Sequence, residues 1–303
     1  MRTRCKMAQT ELTKETHERQ VRARRKRIAV STVLYTIMVI LAIILIFPYL
    51  FMFSKSLMTG EEVIDPQIKM LPAIPQFRNY LDLFQQSGYL KATMNTCTVI
   101  GFNLIAVPLS ASLVAYSFAK LNWWGKKFMF AFMLSTMMLP AVVTQLPLYV
   151  IYARIHWIDT LYPFTIPNLF GGGAIYIFLL RQFMMGIPKD LSNAARIDGA
   201  SQFRIYWNII FPLCKPVLIY VMINVFISYW GDYYGPLIYM HKSDAPRTLA
   251  YVLFLDSTEK DSSLFKSNMR MAGGVFMSAI PVILFAIFQN QLIDGIIMTG
   301  VKD

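Results

Sequence analysis

The chain has 303 residues, of which 56% are hydrophobic and 15% are charged, and its formal net charge is +12. This composition is too apolar for an ordinary soluble domain and is typical of membrane proteins. The positive charge does not indicate a nucleic-acid-binding protein, because residues 1–27 hold ten basic and three acidic residues directly before the first apolar stretch. A nucleic-acid arm at Arg22–Arg27 is the disfavoured alternative.

Six apolar stretches are long enough to cross a bilayer, since a helical span needs about 20 apolar residues. Lipid cannot satisfy a loose backbone, so helices are the expected form. In chain order the predicted spans cover about residues 28–53, 92–119, 128–153, 161–184, 213–240 and 271–295. We therefore predict an all-α membrane protein, with a basic cytoplasmic tail at 1–27 and a transmembrane domain at 28–303.

The basic tail also predicts the orientation of the chain. Positively charged segments next to a span are retained in the cytoplasm. The N-terminus is therefore expected inside, and six spans return the C-terminus to the same side. The segment between the fourth and fifth spans is then cytoplasmic, and the segment at about 241–270 lies outside.

Two spans carry residues that disturb a regular helix. Pro140 and Pro147 in the third span predict kinks. Gly171–Gly173 in the fourth span predict close helix packing. A phosphate-binding loop is disfavoured there, because neither a strand nor a Lys-Ser/Thr pair accompanies the glycines.

The polar segment 187–216 between the fourth and fifth spans has a clear helical pattern. On a helix over about 189–197, Leu191, Ala194, Ala195 and Asp198 share one face. Gly199 is expected to end that helix, and Ser201 can cap a second helix running to about Phe211. This arrangement predicts a helix–turn–helix that docks on a partner, with a simple amphipathic linker as the alternative.

The chain shows no catalytic, metal-binding or nucleotide-binding pattern of its own. It has no P-loop, and none of its three histidines lies in a span. Ion-coupled carriers usually hold an acidic residue at membrane depth, whereas Asp232 is the sole candidate here and lies near the end of a span. We expect a transport subunit rather than an enzyme, with its energy supplied by other chains.

Four polar residues within the predicted spans are candidates for lining a pathway. Neutral polar groups of this kind suit a sugar better than an ion. Hydrogen bonds between helices are the alternative role for these side chains. The four residues are Asn95, Gln145, Asn224 and Ser228.

The segment Asn193–Ala200, followed by Pro212, resembles the EAA loop of ABC-importer permeases. The resemblance extends over about residues 40–303 and is closest to sugar permeases of the maltose-transporter type. The matching pieces include Ser54–Leu57, Asn79-Tyr80, Ala115–Ala119, Thr136–Pro140, Leu180–Phe183, Pro236-Leu237 and Arg247–Leu249.

The resemblance implies a permease subunit in a prokaryotic plasma (inner) membrane, crossing it several times. Its implied partners are a second, different permease subunit, two ATPase subunits that bind ATP and Mg, an extracytoplasmic substrate-binding protein, and membrane lipid. The residues implied to contact the ATPase are Leu191, Asn193, Ala194, Ala195, Arg196, Asp198, Gly199 and Ala200. Asn193 stands where the family usually has Glu, which puts a salt bridge at that point in doubt.

Two other functions are compatible with the residues alone. An ATPase-independent secondary carrier or channel would transport without partner subunits. A membrane scaffold or receptor would not transport at all.

Overall fold

The computed structural model describes the backbone of residues 2–65, 67, 70–86, 88–258 and 267–300. Side chains are described for the same residues except 2–25, 86 and 290–300. Within these ranges every regular element is a helix. Part of the predicted outer segment, residues 259–266, lies outside the described residues, as do the last three residues.

The first predicted span and the basic tail form one helix. Helix α1 runs over Arg2–Ser56 without a break at residue 27. Its large apolar side chains from Ile28 to Leu45 are exposed, as expected of a surface that faces lipid. The C-terminal part of α1 is the part that packs against the rest of the protein, where it meets α14 (Ser267–Gly300).

Two short helices follow before the second span. Helix α2 (Gly60–Ile64) begins with a capping box, in which Thr59 and Glu62 bind each other's backbone N–H groups. Helix α3 covers Arg78–Gln86, and α4 (Tyr89–Lys120) is the second span. Helix α4 lies at the centre of the packing, because α3 and three later helices described below, α7, α11 and α13, all contact it.

The third predicted span is broken in two. Helices α5 (Lys126–Thr136) and α6 (Ala141–Arg154) meet at an angle of 98°. Pro140 has an extended backbone (ψ 133°) directly before α6, so the kink predicted at this proline is confirmed. Pro147 lies inside α6, and the helix continues past it to Arg154. The kink predicted at Pro147 therefore does not divide the span a second time.

The fourth predicted span is not a continuous helix over 161–184. It begins with 3₁₀ turns at Tyr162–Phe164 and Ile166–Phe170, and α7 starts only at Ala174 and ends at Gly186. Between them Gly171, Gly172 and Gly173 all have positive φ (110°, 63° and 122°). Glycine adopts this region readily, and it is incompatible with a right-handed helix.

The predicted close helix packing is confirmed at Gly172. A Cβ atom at Gly172 would lie 2.6 Å from Cγ1 of Val107 and 3.1 Å from its Cα atom. Val107 lies on α4, which packs extensively against α7. The absence of a side chain therefore allows the fourth span to approach the second.

The 187–216 loop holds α8 (Lys189–Ile197) and α9 (Gln202–Ile205). A π-helical turn at Tyr206–Ile210 and a single turn, α10 (Phe211–Leu213), lead into α11 (Lys215–Trp230). The segment before α11 meets it at 75°.

The fifth predicted span ends earlier than residue 240. Helix α11 stops at Trp230, and a separate short helix, α12, covers Tyr234–Tyr239. Asp232 explains the interruption, because its Oδ1 accepts the backbone N–H of Gly235 at 2.9 Å and so stabilises a turn in place of a helix. Helix α13 (Leu249–Thr258) then precedes α14.

The described residues thus contain four long apolar helical segments that could cross a membrane, and up to six if each bent pair counts as one. The largest buried cluster joins α4, α7 and α11 to the end of the 187–216 loop. The end of that loop is therefore packed against the central helices and is not a free linker between them.

Candidate functional site

Helix α8 has the bounds that the sequence predicts, Lys189–Ile197. Asp190 lies in its first turn and Arg196 in its last, which complements the helix dipole. Gly199 has φ +79° and donates to the carbonyl of Arg196 at 3.0 Å, and Ala200 donates to the carbonyl of Ala195 at 2.9 Å. The expected termination at Gly199 is therefore present and closes a sharp turn.

The two faces of α8 have different surroundings. Leu191, Ala194 and Asp198 are exposed, whereas Ser192 is buried. Ala195, expected on the docking face, is half-buried and packs against the core cluster of α4, α7 and α11. Ala195 is therefore partly covered by the body of the protein, on the same side of α8 as Ser192, and its contact with a partner stays a prediction. The other residues of the predicted contact set are Asn193, Arg196, Gly199 and Ala200. The first three are exposed, and Ala200 is half-buried.

Basic side chains fix the beginning of the loop to the spans. The Nζ atom of Lys120 donates to the carbonyl of Ile187 at 2.7 Å. Six residues earlier, on α7, Arg181 donates to the carbonyl of Phe118 at 3.3 Å, and its guanidinium lies 3.9 Å from the centre of the Phe130 ring. These contacts connect the end of α7 with the ends of α4 and α5.

Gln202 connects α8 with α4, a link that sequence reasoning missed. With its amide oxygen turned toward α8, Gln202 accepts from Arg196 at 3.2 and 3.3 Å. Its amide nitrogen then donates to the hydroxyl of Tyr116 at 3.0 Å. Ser201 caps α9 as predicted, accepting the backbone N–H of Arg204 at 3.3 Å. Arg196 thus points back toward the loop's own second helix.

Aromatic residues hold the end of the loop. Tyr206 is buried, and its hydroxyl oxygen lies 2.8 Å from the hydroxyl oxygen of Ser112 on α4. Beside it the rings of Trp207 and Phe211 stack at 5.2 Å and 7°. The loop is therefore anchored at both ends and exposes one face of α8 between the anchors.

The four pathway candidates do not form one cluster. Each has a partner of its own, and no hydrogen bond joins any two of them. Asn95 donates to the carbonyl of Arg247 (2.9 Å), Gln145 accepts from the Tyr234 hydroxyl (3.2 Å), Asn224 donates to the carbonyl of Tyr220 (2.9 Å), and Ser228 pairs with Tyr176.

A different polar network lies between the second, fourth and fifth spans. Asn103 is fully buried on α4 and donates to the carbonyl of Phe164 at 2.8 Å. The side-chain Oδ1 of Asn103 accepts from the side-chain amide of Asn168 at 2.8 Å. That amide also donates to the Tyr229 hydroxyl at 2.5 Å. Asn103 lies in the same uncharged window as Asn95, and helical periodicity alone did not separate the two.

At the opposite end from α8, Asp159 joins two loops. Its Oδ1 accepts the backbone N–H groups of Lys242 at 3.0 Å and His241 at 2.5 Å, and its own N–H donates to Tyr239. These donors, Lys242 first, hold the pKa of the Asp159 carboxyl below its usual value of 3.8. Asp159 adopts φ +61°, which aspartate tolerates better than most residues.

The described residues contain no group of three or more His, Cys, Asp or Glu side chains that could hold a metal ion. The exposed face of α8 in the 187–216 loop offers an apolar side chain at Leu191, a small residue at Ala194 and an amide at Asn193.

Known proteins similar to this chain are transport permeases. It is 28% identical over 268 residues to the arabinooligosaccharides transport system permease protein AraQ of Bacillus subtilis (strain 168), covering 86% of this chain and 92% of that one. The trehalose transport system permease protein SugB of Mycobacterium tuberculosis (strain CDC 1551 / Oshkosh) is also 28% identical, over 259 residues, with 84% and 92% covered.

A solved structure has the same fold. It is a chain of a bacterial ABC transporter involved in the import of the acidic polysaccharide alginate, with a TM-score of 0.73 and 21% identity, covering 86% of this chain and 95% of that one. The model of one family matches residues 109–297, which include α8 and most of the central core. Because that match spans more than half of the sequence, the chain belongs to the family of binding-protein-dependent transport system inner membrane components.

Proposed function

We propose that this chain is one permease subunit of an ATP-driven ABC importer for a sugar or oligosaccharide, forming half of the translocation pathway. The names of the similar proteins support the substrate class, since they transport arabinooligosaccharides and trehalose. The four to six candidate spans support a multi-pass protein of the plasma membrane. Transport proceeds by alternating access, driven by ATP and Mg bound to separate subunits.

The observation that carries the proposal is the contrast between the two faces of α8. Ser192 and Ala195 face the body, while Leu191 (45% exposed) and Ala194 face away from it. A short helix that is fixed to the spans and exposed on one side can transmit a partner's movement to them. We assign this face to an ATPase subunit, with Asn193 contributing a hydrogen bond in place of a carboxylate's salt bridge.

The complete assembly then holds a second permease subunit, two ATPase subunits and an extracytoplasmic binding protein. The N-terminus, the C-terminus and the 187–216 loop lie on the cytoplasmic side, in agreement with the basic tail. The segment at about 241–270 faces the binding protein. Of the four polar span residues, Gln145 and Ser228 remain the better pathway candidates, because they pair with tyrosine side chains. Asn95 and Asn224 instead bond to backbone carbonyls.

The test uses proteoliposomes that contain the full importer and measures ATP-dependent sugar uptake together with ATP hydrolysis. Ala194→Trp places a bulky group on the exposed face and should reduce uptake at least tenfold. Val282→Trp is the matched control, because Val282 is 58% exposed on α14, and it should leave uptake unchanged.

Two substitutions at Gly199 test the turn itself. Gly199→Pro cannot adopt φ +79° and should uncouple hydrolysis from uptake. Gly199→Asn tolerates that φ and should retain most of the uptake. Intact coupling in both Ala194→Trp and Gly199→Pro would refute the assignment, and uptake without any ATPase subunit would identify a secondary carrier or channel instead.

A further inference from the structure

A groove of about 560 Å³ lies between the C-terminal end of α11, helix α13 and the first turns of α14. Its volume falls within the range of pockets that bind small molecules. Most of the lining is apolar, with a few polar groups from Ser257, Ser267 and Arg270. None of these residues belongs to the α8 surface or to the four pathway candidates.

Two aromatic rings form one wall of the groove. Tyr233 and Phe254 stack with their centres 4.8 Å apart and 22° between their planes. Tyr233 is 43% exposed, so its ring is accessible from the groove. An aromatic face is electron-rich and attracts the partly positive C–H groups that line one face of a sugar ring.

Arg270 supplies donors beside this wall. Its Nη2 donates to the hydroxyl of Ser267 at 3.3 Å, while its buried Nε has no hydrogen-bond partner among the described residues. A guanidinium has five N–H donors, and buried polar groups usually have partners. The buried Nε is out of a ligand's reach, so the donors that Arg270 can offer to oxygen acceptors in the groove are the remaining N–H groups on its two Nη atoms.

A carboxylate and Arg270 act on the same tyrosine beside the groove. Asp256 accepts the hydroxyl of Tyr89 at 2.7 Å, and the charges of both Asp256 and Arg270 act on that hydroxyl. Among the residues that the structure describes, one cation and one anion lie at this place, and their charges offset each other. The groove therefore favours a neutral polyhydroxylated ligand over a phosphate or a carboxylate.

We propose that this groove is a subsite for a neutral saccharide, whose ring stacks on the Tyr233–Phe254 wall while its hydroxyl oxygens accept from Arg270. The inference rests on the proposed function, in which the segment at about 241–270, which supplies most of the groove's lining, meets the binding protein. A lipid chain fits less well, because it would leave the guanidinium donors unpaired.

The experiment measures saccharide binding to the assembled importer in lipid nanodiscs without its binding protein. The probes are arabinotriose, trehalose and trigalacturonate, and binding is followed by saturation-transfer NMR. Phe254→Leu removes the ring and Arg270→Gln removes the charged donors, and each should weaken binding of a neutral probe about fivefold or more. Phe254→Tyr keeps the ring and should bind within twofold of the unmodified protein.

Phe285→Leu is the matched control, because Phe285 lies on α14 and is 56% exposed away from the groove. Melting temperature and ATP hydrolysis, measured for every variant, show whether the fold is intact. Unchanged binding in folded Phe254→Leu and Arg270→Gln proteins would overturn the subsite while leaving sugar import standing. Binding of trigalacturonate alone, or displacement of the neutral probe by added phosphatidylglycerol, would also overturn it. Failure of the unmodified importer to take up any sugar would refute the proposed function itself.

Discussion

Replacing Gly172 by Ala tests the close approach of the second and fourth spans. The new Cβ would lie 2.6 Å from Cγ1 of Val107, and it would also require an L-residue at φ +63°. The left-handed conformation costs about 1–2 kcal/mol. Overpacking against a buried β-branched side chain costs about 1–3 kcal/mol more, because neither Val107 Cγ1 nor the α4 backbone can move away freely.

Gly88→Ala separates these two costs. Gly88 has a similar φ of +68°, but a Cβ there would meet no atom within 4 Å, so only the backbone cost applies. Thermal unfolding of both variants in detergent should show Gly172→Ala melting about 2–12 °C below Gly88→Ala, from about 2–4 °C per kcal/mol. Adding Val107→Ala, which deletes Cγ1, should make the double variant less destabilised than the sum of the two single changes. Equal melting temperatures for Gly172→Ala and Gly88→Ala would refute the packing argument.

Three further results are expected. Asn103→Leu removes a buried side chain whose hydrogen bonds join three spans, and it should lower the free energy of unfolding by about 1–3 kcal/mol. The control Thr98→Val changes an exposed site on the same helix and should cost much less. Asp159→Asn should abolish an acid-dependent loss of stability: the folded-state pKa is lowered, so the carboxylate stabilises the protein above its usual pKa of 3.8, and this contribution disappears as pH falls through the folded-state pKa. A pH titration of the melting temperature that is identical for both proteins would contradict this. Ser192→Ala should be neutral or slightly stabilising by melting temperature, because its buried Oγ has no partner among the described residues, and a large loss would show an unrecognised role.

Local pattern was sufficient where the chain's own neighbours decide the structure. The bounds of α8, its termination at Gly199 and the cap at Ser201 follow from residues within one or two turns. The kink at Pro140 is equally local, since proline restricts its own backbone and that of the residue before it.

Contacts between distant segments could not be read in the same way. Periodicity placed Ala195 on the docking face, but packing against α4, α7 and α11 draws it inward. Gln202 carried no signal for its link between Arg196 and Tyr116, because those three residues meet only when α8 folds back beside α4. Asn95 and Asn103 look alike in sequence, yet one bonds to the loop at Arg247 and the other to the fourth span.

Composition and local pattern are enough to identify a helical membrane protein with a patterned polar loop between two spans, because hydrophobicity and helix signals are properties of consecutive residues. Contacts between helices set which spans break, which side of α8 remains exposed, and which polar side chains meet. Those outcomes depend on the shape of a neighbouring helix, as at Gly172 and Val107, and a neighbour 65 residues away leaves no mark in a local pattern.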